Sequence, residues 1–181
     1  YRNLNINSTV FIGSLHELQV KEYLETKWPL PVSNVKIVGG AGDRGLDIDA
    51  MMGKFRLLVQ CKCYSSQRVD PKLLREIKGA IQDVPAKSAK EEIPLVAMVA
   101  STNGFTRQGR VEFDKATIPM IFLKFSRPKL VEITKQYEVA SWQWGEMIGW
   151  EANWKAQSMG LGVEEKVKKK RTRKTKLKVA V

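Results

Sequence analysis

The sequence predicts an α/β fold, a mixed central sheet flanked by helices, on three observations. Two continuous apolar runs, Leu95 to Ser101 and Met120 to Phe125, have the length and composition of strands buried on both faces. Segments with helical character precede each of them, so helices alternate with strands along the chain. With 43% hydrophobic residues in a length of 181, the chain can bury one sizeable core.

Taken in order, Ser8 or Thr9 can cap a first helix over residues 8–26, where Phe11, Leu15 and Leu18 follow the i, i+4, i+7 spacing. Trp28, Pro29 and Pro31 end it. A β-branched run from Val35 to Val38 enters a glycine-rich turn, Gly39 to Gly45, and Leu46 to Met52 reads as the next strand. Gly53 and Lys54 turn the chain tightly into Phe55 to Tyr64, the longest strand candidate. Asp70 before Pro71 is a helix start, and Leu73, Leu74, Ile77, Ala80 and Ile81 then fall on one helical face, with Pro85 as the limit. A helix from Thr106 to Lys115 separates the two apolar strands. The order is α, β, β, β, α, β, then α and β.

Beyond Arg127 the pattern weakens. Residues 1–130 read as the core domain, 131–160 as an extension packed on it, and 161–181 as a tail that packs into no element. The extension carries Trp142, Trp144, Trp150 and Trp154. Their rings can stack on unpaired bases, at about 1–3 kcal/mol each, or pack a lobe or dimer contact.

The formal charge of +12 comes from 31 Lys and Arg against 19 Asp and Glu. Nine of those cations lie between Lys166 and Lys178 with no acid among them, so residues 1–165 carry 22 cations against all 19 acids. A basic run of this kind, with Lys168, Lys169, Lys170, Arg171, Arg173 and Lys174 at its centre, fits a nucleic-acid backbone through counterion release. It equally fits a solvated extension. No apolar run approaches the length of a membrane span. Cys61 and Cys63, two positions apart on a strand, suit buried thiols in a reducing compartment and not a disulfide framework. A single histidine leaves no ligands for a Cys/His zinc site or for chemistry that needs several histidines. The chain begins with Tyr1 and shows no leader pattern, which suits a processed or trimmed form.

Gly40 to Gly45 matches the dinucleotide fingerprint in letters only, because a strand follows it where that fingerprint needs a helix. Asp47 and the Gln60-Cys61-Lys62 stretch are more informative. They lie on strands joined by a tight turn, and period-two alternation puts Gln60 and Lys62 on one face. Asp47, the Gln60 amide oxygen and the Cys61 backbone carbonyl can hold one Mg²⁺, with Mn²⁺ as the substitute, and Lys62 can orient water or stabilise a developing oxyanion. The alternative is a lysine that snorkels to the surface at a strand end. Asp49 either joins such a site or ends its strand near Gly53, and Arg44 either contacts phosphate or steadies the glycine-rich turn with Asp43. Glu76 can pair with Lys72 or Lys78 on a solvated face. The Thr102 to Thr106 turn can cap the helix after it or offer N–H groups to phosphate.

Gly42 to Asp49, then Val59-Gln60-Cys61-Lys62, then Ser101 to Thr106, together resemble the Mrr-type branch of the restriction-endonuclease-like PD-(D/E)xK nucleases. The resemblance covers roughly residues 10–125. It implies the restriction-endonuclease-like form of the α/β core, in which Gln60 is a family variant of the usual acid. Gly13-Ser14-Leu15-His16-Glu17 resembles a Gly-x-x-aromatic-Glu element of that branch, which implies Glu17 as a further metal carboxylate. His16 there either touches substrate or is a buried helix residue. Within the branch, the Gln-Cys-Lys-Cys-Tyr strand and the basic C-terminus are similar to the fungal mitochondrial family named for being required for respiratory growth. That likeness implies a mitochondrial address and a leader removed or omitted. The expected function is a metal-dependent nuclease acting on DNA phosphodiester bonds, in mitochondrial DNA maintenance. The alternative is a nuclease-fold protein that binds DNA or RNA without turnover. The sequence leaves a monomer or a dimer open.

Overall fold

A computed structural model describes residues 8–38, 45–84, 93–134, 139–143, 145–161 and 177–180. Three helices start as their side chains dictate. Ser8 Oγ accepts from the Phe11 N–H at 3.1 Å and starts α1 (Thr9–Thr26). Asp70 and Thr106 do the same for α2 (Pro71–Gln82) and α3 (Arg107–Lys115), accepting at 2.9 Å from Leu73 and Gly109.

The strands β1 (Val32–Ile37), β2 (Ile48–Met52) and β3 (Phe55–Lys62) form an antiparallel meander. To β3 is added β4 (Leu95–Ser101) and to that β5 (Met120–Phe125), both parallel, through the α2 and α3 crossovers. This is the mixed sheet that the alternation of helices and strands predicts.

Its two faces are covered by different helices. Val20 and Leu24 of α1 pack with Leu57, Val59 and Met98, while Leu73, Leu74 and Ile77 of α2 and Phe113 of α3 pack with Leu58, Val99 and Phe122. Successive residues of β3 therefore serve opposite cores, which is why the run is apolar without alternation.

Four features depart from the expected pattern. In α1 the inward stripe is Leu15, His16, Gln19, Val20 and Leu24, and Leu18 is 46% exposed. Two polar residues on the buried face disguise that stripe. β1 begins earlier, at Val32, because a register shift between Ser33 and Lys36, with Asn34 at φ 53°, lets the pairing continue past the irregularity. β3 ends at Lys62.

The fourth departure is in the tryptophan segment. β6 (Lys129–Thr134) and β7 (Val139–Gln143) form a hairpin, and β9 (Leu177–Ala180) pairs antiparallel with β7, where the sequence suggests a tail without elements. β8 (Met147–Ala152) joins the main sheet as its sixth strand, antiparallel to β5. Trp150 on β8 meets Trp28 edge-on at 5.1 Å, and Leu161 is buried in the same core. Trp154 is 52% exposed, while the side chain of Trp142 and all of Trp144 lie outside the described residues, as do 162–176. Among the described residues no helix is long and apolar enough to cross a membrane.

Asn153 fastens β8 and α4 (Trp154–Ser158) to the sheet. Its buried amide oxygen accepts from Met120 N and Ala156 N, both at 3.0 Å, and its amide nitrogen donates to Ile118 O at 2.9 Å and, more weakly, to the carbonyls of Phe113 and Ala116. Asn153→Ala leaves these groups unpaired and removes the cap of α4, so it lowers the unfolding free energy by about 2–4 kcal/mol in urea titration.

Candidate functional site

β2 leaves β3 at Ile48, and what happens to β3 beyond that point sets the site. Asp47 still donates its N–H to Val59 O at 2.8 Å and accepts from Val38 N at 2.9 Å, so its backbone is held from both sides. One residue pair further, β3 has no strand partner on that edge among the described residues. The Asp47 carboxylate fills the gap, its Oδ2 accepting from Cys61 N at 2.6 Å and from Gln60 Nε2 at 2.8 Å. Gln60 is 4% exposed, and its other amide atom lies against Gly45, where a Cβ would come 2.9 Å from Oε1. Gly45 also has φ 77°, so both its conformation and its lack of a side chain make room for the amide.

Cys61 points to the α1 face and is buried. Burial pushes its thiol well above the ordinary range, the charges of Asp47 and Glu17 push it further, and Lys62 opposes them. Asp47, Glu17 and Lys62 are thus all within electrostatic reach of Cys61. Lys62 ends β3 in a half-buried position, and its carbonyl accepts from Thr102 N at 3.1 Å. Cys63 lies half-buried beside Arg127; burial raises its thiol while the Arg127 charge and hydrogen bond counter the rise.

Other candidates have structural roles. Both oxygens of Asp49 receive Arg56, at 3.0 and 2.7 Å, which closes the β2–β3 hairpin and raises the Arg56 guanidinium. Glu76 pairs with Lys72 at 3.8 Å on an exposed face. Thr106 is the α3 cap, whereas Thr102 and Asn103 donate to the carbonyls of Tyr64 and Gln67, at 2.7 and 2.8 Å, and tie down the loop after Lys62. His16 is fully buried, its ring 3.4 Å from both Gln19 Oε1 and Ala100 O and edge-on to Phe125. It does not face a substrate. Arg44 and the basic residues Lys168, Lys169, Lys170, Arg171, Arg173 and Lys174 lie outside the described residues.

Sequence reasoning gave no role to Gly45 or Gln19, and read Thr102 and Asn103 as part of a capping or phosphate-binding turn and not as a clamp on the loop after Lys62. The glycine-rich turn signalled the first; nothing local signals a glutamine whose amide reaches Gly145 O across 126 positions. Among the described residues no three His, Cys, Asp or Glu side chains are grouped to hold a metal. The groups that hydrogen bonds hold together here are the Asp47 carboxylate, the Gln60 amide and the Cys61 backbone.

Fold and site define a mixed-sheet α/β protein with an acid–amide–lysine cluster where its antiparallel and parallel strands meet. A family model described as Required for respiratory growth protein 7 matches residues 8–57 and 52–159, and the chain belongs to that family. Curated proteins named "Required for respiratory growth protein 7, mitochondrial" are similar to it. That of Vanderwaltozyma polyspora is 28% identical, over 92% of this chain and 83% of its own length. That of Eremothecium gossypii is 27% identical, over 69% and 68%, and that of Kluyveromyces lactis 29%, over 65% and 66%. No solved structure matches.

Burial holds the His16 imidazole below its ordinary value of 6.5. The unfolded chain therefore takes up this proton at higher pH than the folded one does. The stability that goes with neutral His16 is complete above the ordinary value and is lost as pH falls through the lower folded value. Unfolding free energies at neutral and mildly acidic pH should differ less in His16→Gln than in the parent chain.

Proposed function

We propose that the chain is a mitochondrial metal-dependent nuclease that hydrolyses DNA phosphodiester bonds. The observation that carries this reading is the Asp47 carboxylate at the end of the β2–β3 pairing, bonded to the Gln60 amide and to the Cys61 N–H, one residue from Lys62. The resemblance to Mrr-type PD-(D/E)xK nucleases supports it on the same residues, and the names of the relatives support the address.

The donors suit Mg²⁺ or Mn²⁺, hard ions that take oxygen ligands and need only one or two carboxylates. Asp47 and Glu17 supply those carboxylates. Gln60 supplies its Oε1 after a half-turn of the amide, which moves no other atom of the side chain. The N–H and C=O of a residue face the same edge of a strand, so the Cys61 carbonyl is directed toward Asp47 as its N–H is. When bound, the ion would offset charge on the scissile phosphate and lower the pKa of the attacking water. Lys62 orients that water or stabilises charge on the phosphate oxygens. Water oxygen bonds to phosphorus as the bond to O3′ breaks, leaving a 5′-phosphate and a 3′-hydroxyl.

Plasmid and single-stranded DNA are incubated with magnesium or with chelator, using the parent chain, Asp47→Ala and Lys62→Ala. The expected result is magnesium-dependent cleavage reduced at least about 100-fold in each variant. Equal cutting by parent and variants rejects the site.

One observation favours a second reading, a DNA- or RNA-binding factor without turnover. The Gln60 amide hydrogen is given to Asp47, an arrangement that a carboxylate and an amide keep without any ion. Nucleic-acid retention unchanged by chelator, with no cleavage, selects it. Gln60→Glu puts two carboxyl groups where that hydrogen bond now is, so one holds its proton to higher pH than in the unfolded chain. This variant loses stability as pH rises toward neutrality, and magnesium raises its melting temperature more than that of the parent if the ion binds there.

A further inference from the structure

The candidate site lies at the C-terminal end of β3, and the same end of the sheet carries a second feature with no role in the chemistry above. α2 and α3 both start there, after β3 and β4, and the residues just before their caps are bridged: Val69 pairs with Phe105, Val69 N donates to Gly104 O at 3.0 Å, and Thr106 N to Val69 O at 2.9 Å. Gly109 presses on this junction, where a Cβ would come 2.3 Å from Val69 O. The two helices thus begin side by side and leave a groove of about 410 Å³ lined by Pro71, Arg75, Arg107, Gln108, Val111 and Glu112.

The charges in and around the groove are unevenly matched. Lys72 pairs with Glu76, Lys78 with Glu112 at 3.0 Å, and Arg110 with Asp114 and Glu151 at 3.0 and 2.5 Å. Arg75 and Arg107 are exposed and enter no ion pair among the described residues. The one acid lining the groove, Glu112, is already held by Lys78. What remains is two guanidiniums facing one concavity, with Val111, 47% exposed, between the polar walls. Guanidinium forks match phosphate oxygens in pairs, and an apolar residue between them suits the sugar that joins successive phosphates.

We infer that the α2–α3 groove is a docking site for the phosphate backbone of a nucleic-acid strand, with Arg75 and Arg107 each holding a phosphate outside the cleavage position. This rests on the nuclease reading for its substrate class, and adds to it a path: the strand runs from the Asp47–Lys62 site along the starts of α2 and α3.

The test uses the full chain, with Arg75→Ala/Arg107→Ala and Arg75→Lys/Arg107→Lys double variants. Binding of fluorescent single- and double-stranded oligonucleotides is titrated in chelator over a series of salt concentrations, and cleavage is followed in magnesium. Both side chains are exposed, and circular dichroism checks that the variants remain folded. For duplex, the alanine variant should bind at least about tenfold more weakly at low salt, with the slope of log affinity against log salt flatter by about 1.8, while the lysine variant keeps most of the slope. A parent that binds but does not cut, with the alanine variant weakened, supports the groove and rejects the nuclease reading. A parent that cuts, with an alanine variant of unchanged affinity and slope, overturns the groove and leaves the nuclease reading standing. A parent that binds no nucleic acid overturns the groove.

Discussion

The carboxylate of Asp47 holds the place where two kinds of strand pairing meet. β3 is antiparallel to β2 and parallel to β4, and β2 runs out of register with it at Ile48 while β4 continues to Lys62. A strand end exposed on one edge only leaves an N–H, that of Cys61, which a mostly buried strand must satisfy. Asp47 does so and gathers the Gln60 amide with the same oxygen. The charge is thus fixed at the end of β3 by a backbone requirement, before any reaction is considered. The Thr102–Asn103 clamp on the other side of β3 completes the constraint, since it ties the loop after Lys62 to the end of β4.

The two faces of the sheet are built differently, and the difference bears on function. On one face the side chains that α2 and α3 bury are apolar, and α2 shows its inward positions in its sequence. On the α1 face, His16 and Gln19 are buried among apolar residues and bound to Ala100 O and Gly145 O. Burial of polar groups is tolerated only where partners are supplied. Those partners come from β4 and the loop before β8, so α1, which carries Glu17, is held in a set rotation against the sheet. A carboxylate on that helix is positioned by hydrogen bonds at its neighbours.

The net charge of +12 suggests a basic surface throughout, yet most of the excess lies beyond residue 165. On the helices of the core, cations are mostly offset by acids a turn away or on the neighbouring helix. Arg75 and Arg107 stand out because their neighbours' acids are already taken. Against a balanced background, two cations in one groove carry more positional information than a charge total does.

The alternation of helices and strands, the cap at Asp70, the inward face of α2, the hairpin at Gly53 and the nearness of Asp47 to Gln60 were legible in the sequence. Each depends on contacts within a few residues or on a repeat of fixed period. Packing between separate parts of the chain settles that β8 closes the main sheet, that His16 belongs to the core, that Asp49 belongs to Arg56 and that Gly45 makes room for Gln60. These assignments depend on partners brought from elsewhere in the fold or across a turn, such as Asn153 with Met120 and His16 with Ala100. A polar residue has no period to announce its burial. Its place is set by whichever distant donor or acceptor the packed chain puts within reach.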